Sequence, residues 1–593
     1  MPGPPQPLSV EADESPLASR MIFSAVILLG ILLFAADFDL AAHPQYYAVA
    51  IVAVIACIPE VNSRISRLID HLRKPSQKMM WLTAAVIFVL SARYFLLSAA
   101  LAGRNLFPAF HDEHMYLLQA RMLAHGRLWM PQHELADFFD SFFVLVKPVY
   151  AATYFPGTAL FYVPGIWLNT AYWLTSVLIT AGVVAMLYII TTELLDGAFG
   201  WLAALLSISL SQLRGLSVMA MSHPAMLLLL LLTFWSYLRW RRTRTVTWAV
   251  LIGVFSGWAA ITRPLDAICL ILPIAAAMLW DLRLVSKRTC AIYLGSAFLG
   301  AMPLLSLQLI FNKCLTGAFG RTPITQYGIL NFPGLTLGRD LRVLPAESPS
   351  SLPQVRDYYK QFLLPDLTQF SRDSFWGTWM KRRLEPVADV SLPGHLLFCL
   401  LPIGLIALRS PPIIAIAMGS LLLPPAYAFF PVYLRHYGLV AAPGFILVTL
   451  SGAQALGRRF PMVRSPLILA IATLSIASLP ELRGARDGFM SAEYLADINA
   501  KLAELEHKPA VVLFRYQSGG TDLHQEPVYN LDVAWPDDAP VIRAQDRGTD
   551  NRRIFDYYAR HQPQRFFYRY DRTTTELTPL GYAKDLAAPT LTP

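Results

Sequence analysis

Charge is the scarcest property of this chain. Of its 593 residues only 15% are Asp, Glu, Lys or Arg, against 55% hydrophobic, and the mean hydropathy is +0.45. So little charge cannot cover the surface of a soluble chain of this length, which leaves a polytopic membrane protein. Cysteine is equally sparse. Cys57, Cys269, Cys290, Cys314 and Cys399 lie in or near apolar segments without paired spacing, which excludes a disulfide framework and a CxxC metal site. There is no nucleotide-binding glycine loop, internal repeat or heptad. The net charge of +9 sits largely in short loops between apolar runs, where Lys and Arg set orientation. It is no sign of a nucleic-acid partner. The opening "MPGPPQPLSVEADESPLASR" is polar and Pro-rich and reads as a disordered cytoplasmic tail over residues 1–20; the apolar run after it is expected to stay in the protein as a first span.

What is present is a series of apolar runs of about 15 to 23 residues, each readable as a span. They lie near Met21–Leu40, His43–Pro59, Met79–Leu101, Ala171–Leu194, Phe199–Leu213, Val218–Trp240, Val246–Thr262, Leu265–Asp281 and Cys290–Phe311. After a polar interval come Pro393–Leu408, Pro412–Phe430, Tyr437–Leu456 and Ser465–Leu479, thirteen in all. Alternate threading puts the basic loops "SRISRLIDHLRKPSQK", "RWRRTRT", "DLRLVSKR" and "GRRFPMVR" on one side. With that side cytoplasmic, the N-terminus is inside. Outer loops at about 102–170 and 312–392 and the tail from about 481 to 593 are then outside.

The expected organisation is therefore a membrane domain over 21–480 and a small extracytoplasmic α/β domain over 481–593. In that tail "SAEYLADINAKLAELEHK" has helical periodicity, "AVVLFRY" and "RFFYRY" read as strands, and "NRRIFDYYARH" as a second helix. It holds no recognisable catalytic constellation. It reads as a packing or acceptor-recognition module, separable from a donor site in the membrane part.

Chemistry concentrates on the first outer loop. "HDEHMYLLQARMLAHGRL" places Asp112 and Glu113 side by side at a helix start, where an Asp also suits a cap and a Glu the first turn. The loop continues to "VLVKPVYAATYFPG", where Lys147 is a lone cation among apolar and aromatic residues. A lysine there can snorkel to lipid headgroups. Together with the acids it suits a transfer reaction: a carboxylate takes the acceptor's proton and a cation stabilises a departing phosphate. Arg263 and Arg435, with His436 beside the latter, fall at outer ends of spans, where they can pair with headgroups or bind phosphate bidentately. His111, Glu113 and His114 cluster in sequence and leave a divalent metal as an open option; no cofactor is required.

The stretch "DEHMYLLQARMLAHGRLWMP", followed by "KP" and "YFPG", resembles the first outer loop of the GT-C class of membrane glycosyltransferases. The branch is that of protein O-mannosyltransferases and lipid A aminoarabinose transferases. "SHPAMLLLLLLTFW", "AAITRPLDAICLILP", "NKCLTGAFGRTPITQYG" and "YLRHYGLVAAPG" fall where that class has similar stretches, so the resemblance spans roughly Met79 to Leu456. It implies a GT-C fold and an inverting transferase that moves a sugar from a polyprenyl-phosphate donor to a glycan, lipid or protein acceptor. The compartment would be the outer face of a bacterial inner membrane. By match to the motif, Asp112 is the general base, Glu113 supports it or positions a metal, and Lys147 contacts the donor phosphate. Arg263 and Arg435 are further phosphate ligands, and Tyr116, Tyr154, His223 and His436 are candidate substrate contacts. Two departures stand out: His223 lies where many relatives have an acid, and only one proline follows Lys147. The competing readings are a transporter or flippase of a lipid-linked sugar, and a non-catalytic assembly protein. Against a transporter, the sequence shows no internal repeat and its spans contain few charges, polar groups being concentrated in long outer loops.

Overall fold

The computed structural model describes residues 45–338, 344–479, 492–519 and 522–587. The expected span Met21–Leu40 lies outside the described residues. Each of the other apolar runs coincides with a helix. Five of these helices are long and apolar enough to cross a membrane: Gln77–Leu101, Tyr172–Leu194, Pro264–Leu282, Lys287–Thr316 and Arg435–Arg459. Two bent pairs raise the number to seven among the described residues, while Gly197–Ser209, Val246–Ala260, Pro411–Tyr427 and Val463–Ala477 are shorter. The helix Ser222–Thr243 is mostly buried among the others and ends on Arg241 and Arg242. Apolar side chains from these helices form one large core. Close crossings rest on small residues: a Cβ added at Gly257 would lie 2.9 Å from the Ala301 Cα, so the helices Val246–Ala260 and Lys287–Thr316 pack backbone to backbone.

The first loop folds into the helix His111–Ala124 and three short strands, β1 (Met130–Pro131), β2 (Val144–Leu145) and β3 (Val149–Ala152). They pair antiparallel in the order β1–β3–β2, with Val144 opposite Ala152 and Met130 opposite Tyr150.

The tail contributes β4 (Ala510–Arg515), β5 (Val541–Gln545), β6 (Phe566–Asp571) and β7 (Leu577–Tyr582), in the order β5–β4–β6–β7. The first three are parallel and β7 is antiparallel to β6. Alternation along β4 decides what each face covers. Val511 and Leu513 join Met115, Leu118, Phe138, Phe142 and Leu363 in one core, whereas Ala510, Val512 and Phe514 pack against Leu495, Ile498, Leu502 and Ala109. Polar contacts reinforce the join. Arg553 forks onto Asp137 at 2.8 and 3.2 Å, Tyr529 donates to the Phe142 carbonyl at 2.9 Å, and Tyr516 donates to Asp357 at 2.6 Å. The tail and the first loop therefore share one hydrophobic core, which the expectation of a separable module did not foresee.

Candidate active site

The helix His111–Ala124 treats its two acids differently. Glu113 stands at the third helical position, 2% exposed, and its carboxylate accepts from the backbone N–H of Ala109 at 3.0 Å, Phe110 at 3.4 Å and Ala220 at 3.1 Å. A helix start leaves such N–H groups without intrahelical partners, and an acid three residues in satisfies them. Burial pushes the Glu113 carboxyl up to about 7 against the pull of these donors. Expected from the sequence to assist Asp112 or position a metal, Glu113 is instead committed to the backbone and ties the helix start to the segment before Ser222. The N-cap position is Phe110, and the capping role considered for Asp112 is taken by the Glu113 carboxylate.

Asp112 points elsewhere. Its carboxylate accepts from the Tyr154 hydroxyl at 2.6 Å, and no other hydrogen bond to it occurs among the described residues. Burial raises its pKa above the ordinary carboxylate range, opposed by the Tyr154 hydrogen bond and the charge of Arg263. Tyr116, one helical turn on and so on the same face, packs against Tyr154 with ring centroids 5.4 Å apart and faces Ser222.

Arg263 closes the other side. It precedes the helix Pro264–Leu282, and its guanidinium donates to Asp266, to the Ser222 hydroxyl at 3.1 Å and to the Tyr427 hydroxyl at 2.7 Å. Tyr427 in turn donates to Asp266 at 2.6 Å. Asp266 is fully buried and Arg263 is 14% exposed, so the pair is held in one geometry. Three of five guanidinium N–H groups are thus used, leaving two donors. The ring of Tyr437 lies 4.9 Å from the Arg263 guanidinium and stacks on His223 at 5.3 Å; His223 in turn meets His436 edge-on at 4.5 Å. Both ring nitrogens of His223 and Nε2 of His436 are buried without a hydrogen-bond partner among the described residues.

The "YFPG" element brings the segment after Tyr154 against the residues leading to Arg263. Gly157 donates its N–H to the Ile261 carbonyl at 2.8 Å and accepts from the Trp258 indole at 2.7 Å. A Cβ at Gly157 would lie 2.6 Å from the Ile261 oxygen, so only glycine lets this turn sit on the residues leading to Arg263.

Six residues singled out from the sequence therefore converge: Asp112, Tyr116, Tyr154, His223, Arg263 and His436. Two cations do not join them. Lys147 is exposed at the tip of the β2–β3 hairpin, opposite the end that leads to Tyr154, on the order of 15 Å of strand away, and pairs with no described residue. Arg435 is 72% exposed and pairs with Asp389 at 2.9 Å, directed away from His436. Nor do the loop histidines assemble with Glu113. His111 contacts the Tyr529 hydroxyl at 3.1 Å and the Leu523 carbonyl at 3.0 Å, and His114 the Pro108 carbonyl at 3.2 Å. Burial depresses both, His114 to about 3. Among the described residues no three His, Cys, Asp or Glu side chains gather as a metal site would require.

Asp266, Ser222, Tyr427 and Tyr437 were not legible as site residues, although Asp266 carried a signal: an acid three residues after Arg263, in the first turn of a helix that opens on proline. Chemically, the cluster offers one carboxylate with spare acceptor capacity, one fixed cation with spare donors, and hydrogen-bonding rings packed beside the cation.

No protein-family model and no curated protein matches the chain. Among the solved structures similar to it are two of ArnT from Cupriavidus metallidurans, each at 13% identity and a TM-score of 0.46. The apo structure covers 87% of this chain and 100% of that one; the structure bound to undecaprenyl phosphate covers 81% and 88%. At that identity the likeness concerns the chain trace, and no residue role is carried over from it.

Proposed function

We propose that this membrane protein is an inverting glycosyltransferase that uses a polyprenyl-phosphate-linked sugar at the outer face of a bacterial cytoplasmic membrane. The observation that carries the reading is the contrast at the first-loop helix: Glu113 is consumed by three backbone N–H groups, while Asp112 is held by one hydrogen bond near the buried Arg263. In the reaction Asp112 accepts the proton of the acceptor hydroxyl as its oxygen attacks the anomeric carbon. The bond from that carbon to the phosphate oxygen breaks on the opposite side, and the polyprenyl phosphate leaves with the electron pair. The two remaining Arg263 donors face the charge that develops there. In this reading Lys147, exposed at the hairpin tip, meets the phosphate of an arriving lipid at the surface and does not act in the transfer step.

The orientation is supported by charge. Arg241 and Arg242 end the helix Ser222–Thr243, whose first residues join the site, so the basic loops lie at the end remote from it. That puts the N-terminus in the cytoplasm and the sheet of β4–β7 outside. The acceptor is a hydroxyl-bearing glycan, lipid or protein.

The test is turnover in detergent. Purified protein given an undecaprenyl-phosphate-linked sugar and a crude envelope acceptor fraction should release undecaprenyl phosphate without a gradient or sealed membrane. Movement of intact donor across sealed vesicles, with no release in either format, would replace the enzyme with a flippase.

A further inference from the structure

Three atoms of the site are not used by the transfer step: His223 Nδ1, His223 Nε2 and His436 Nε2, all buried and all without a hydrogen-bond partner among the described residues. His223 is 1% exposed. Buried polar atoms are ordinarily paired, and orphan nitrogens on two touching imidazoles next to the site's cation point to a ligand whose groups complete them. The two rings touch, and both lie against Tyr437, which packs on Arg263.

The chemistry of that ligand follows from charge. Further positive charge beside the Arg263 guanidinium is repelled, so each imidazole presents one N–H donor and one acceptor nitrogen. A donor and an acceptor on one rigid ring complement neighbouring hydroxyl groups, each of which gives one hydrogen bond and accepts others. An ammonium group would find only the acceptor nitrogens and would face Arg263. A sugar carboxylate would compete with the phosphate for the two donors that Arg263 retains.

Building on the transferase reading, we infer that His223 and His436 form the sugar subsite of the donor and that the sugar is an uncharged, hydroxyl-rich one. Because the sugar is bonded directly to the phosphate, a subsite adjoining Arg263 is where it must lie.

The experiment separates sugar from phosphate. Binding of undecaprenyl phosphate, and of the same lipid carrying a neutral hexose, a 4-amino sugar or a uronic acid, is measured by thermal stabilisation of the full-length protein in detergent. The wild type should bind the neutral-hexose lipid about tenfold more tightly than bare undecaprenyl phosphate, as one or two satisfied hydrogen bonds allow. It should gain nothing from the amino or acidic sugars. His223→Leu should abolish the preference and leave affinity for bare undecaprenyl phosphate unchanged; His223→Gln, which keeps a donor and an acceptor, should restore part of it, and His436→Leu should reduce it.

Equal loss of affinity for the bare and sugar-bearing lipids in His223→Leu would make His223 a phosphate ligand or a structural residue. A preference for the amino or acidic sugar would also overturn the inference, with the transferase reading intact. Failure of the wild type to bind any of the four lipids would remove the transferase reading and this inference with it. If His223→Leu does not fold, the same comparison on His436→Leu decides.

Discussion

The helix Ser222–Thr243 ends in two clusters of polar residues, roughly 28 Å apart at about 1.5 Å per residue, and they differ in kind. At its C-terminal end three arginines meet two acids in direct ion pairs. Arg239 and Arg242 meet Glu193, and Arg241 meets Asp281 at 3.0 Å, where the Tyr237 hydroxyl also donates. At the N-terminal end one pair is matched, Arg263 with Asp266, and around it stand groups with capacity to spare: Asp112, His223 and His436. The helix Pro264–Leu282 repeats the pattern, with Asp266 near one end and Asp281 near the other. Ion pairs hold helices in place. Both ends bury polar atoms without a hydrogen-bond partner among the described residues, Arg239 Nε and the Trp240 indole at one and His223 and His436 at the other. The N-terminal end, however, sets them beside a carboxylate and a cation with capacity to spare.

The comparison is broken most severely by deletion of residues 492–587. The N-terminal cluster lies under the first loop, whose core is shared with β4 and β6; the Arg-rich end has no part in that core. Removal should abolish donor binding and collapse the loop while the helix bundle survives, read as protease cleavage within residues 102–170 and resistance elsewhere. A truncate that still binds donor would restore the separable tail that the sequence alone suggests.

Glu113→Ala should come next. It strands three backbone N–H groups, at about 1–3 kcal/mol for each buried orphan, and should lower thermal stability by several degrees, whereas Asp112→Asn should leave the melting temperature nearly unchanged. Equal destabilisation by both would erase the distinction between the two acids.

Tyr154→Phe should lower activity by about tenfold and reshape its pH dependence. Burial raises the Asp112 pKa and the Tyr154 hydroxyl opposes that rise by favouring the charged form. Without the hydroxyl the pKa moves higher still. The acid limb of the kcat/KM profile, below which Asp112 is protonated and cannot act as base, should therefore shift to higher pH. A shift to lower pH would contradict the arrangement.

The smallest effect belongs to the exposed pair. Arg435→Ala leaves a partly exposed carboxylate, worth about 0–1 kcal/mol, and activity should stay within about twofold. A large activity loss in Arg435→Ala would return that residue to the phosphate site.

Much of this was legible before the structure. The apolar runs mark helices because membrane spans leave little choice of backbone, and the paired acids at a helix start direct attention to the first loop. Asp112 was set apart as base only through the family resemblance; the commitment of Glu113 to the backbone was hidden because it depends partly on Ala220, 107 residues away. Arg435 and His436 are adjacent in sequence, yet one faces Asp389 at the surface and the other His223 in the interior, a choice set by packing around Tyr437. The join of tail to loop was hidden for a similar reason. The alternation in "AVVLFR" shows that β4 has two apolar faces but not that Met115 and Phe142 cover one of them.

The account rests on Asp112 as the base, and the most direct measurement is a single turnover of undecaprenyl-phosphate-linked sugar by wild type and Asp112→Asn at matched donor occupancy. The expected result is unchanged donor binding with transfer slower by about two to four orders of magnitude, the usual contribution of a general base. If the variant binds donor normally and keeps more than about a tenth of the wild-type rate, Asp112 is not the base and the cluster around it is not the catalytic site.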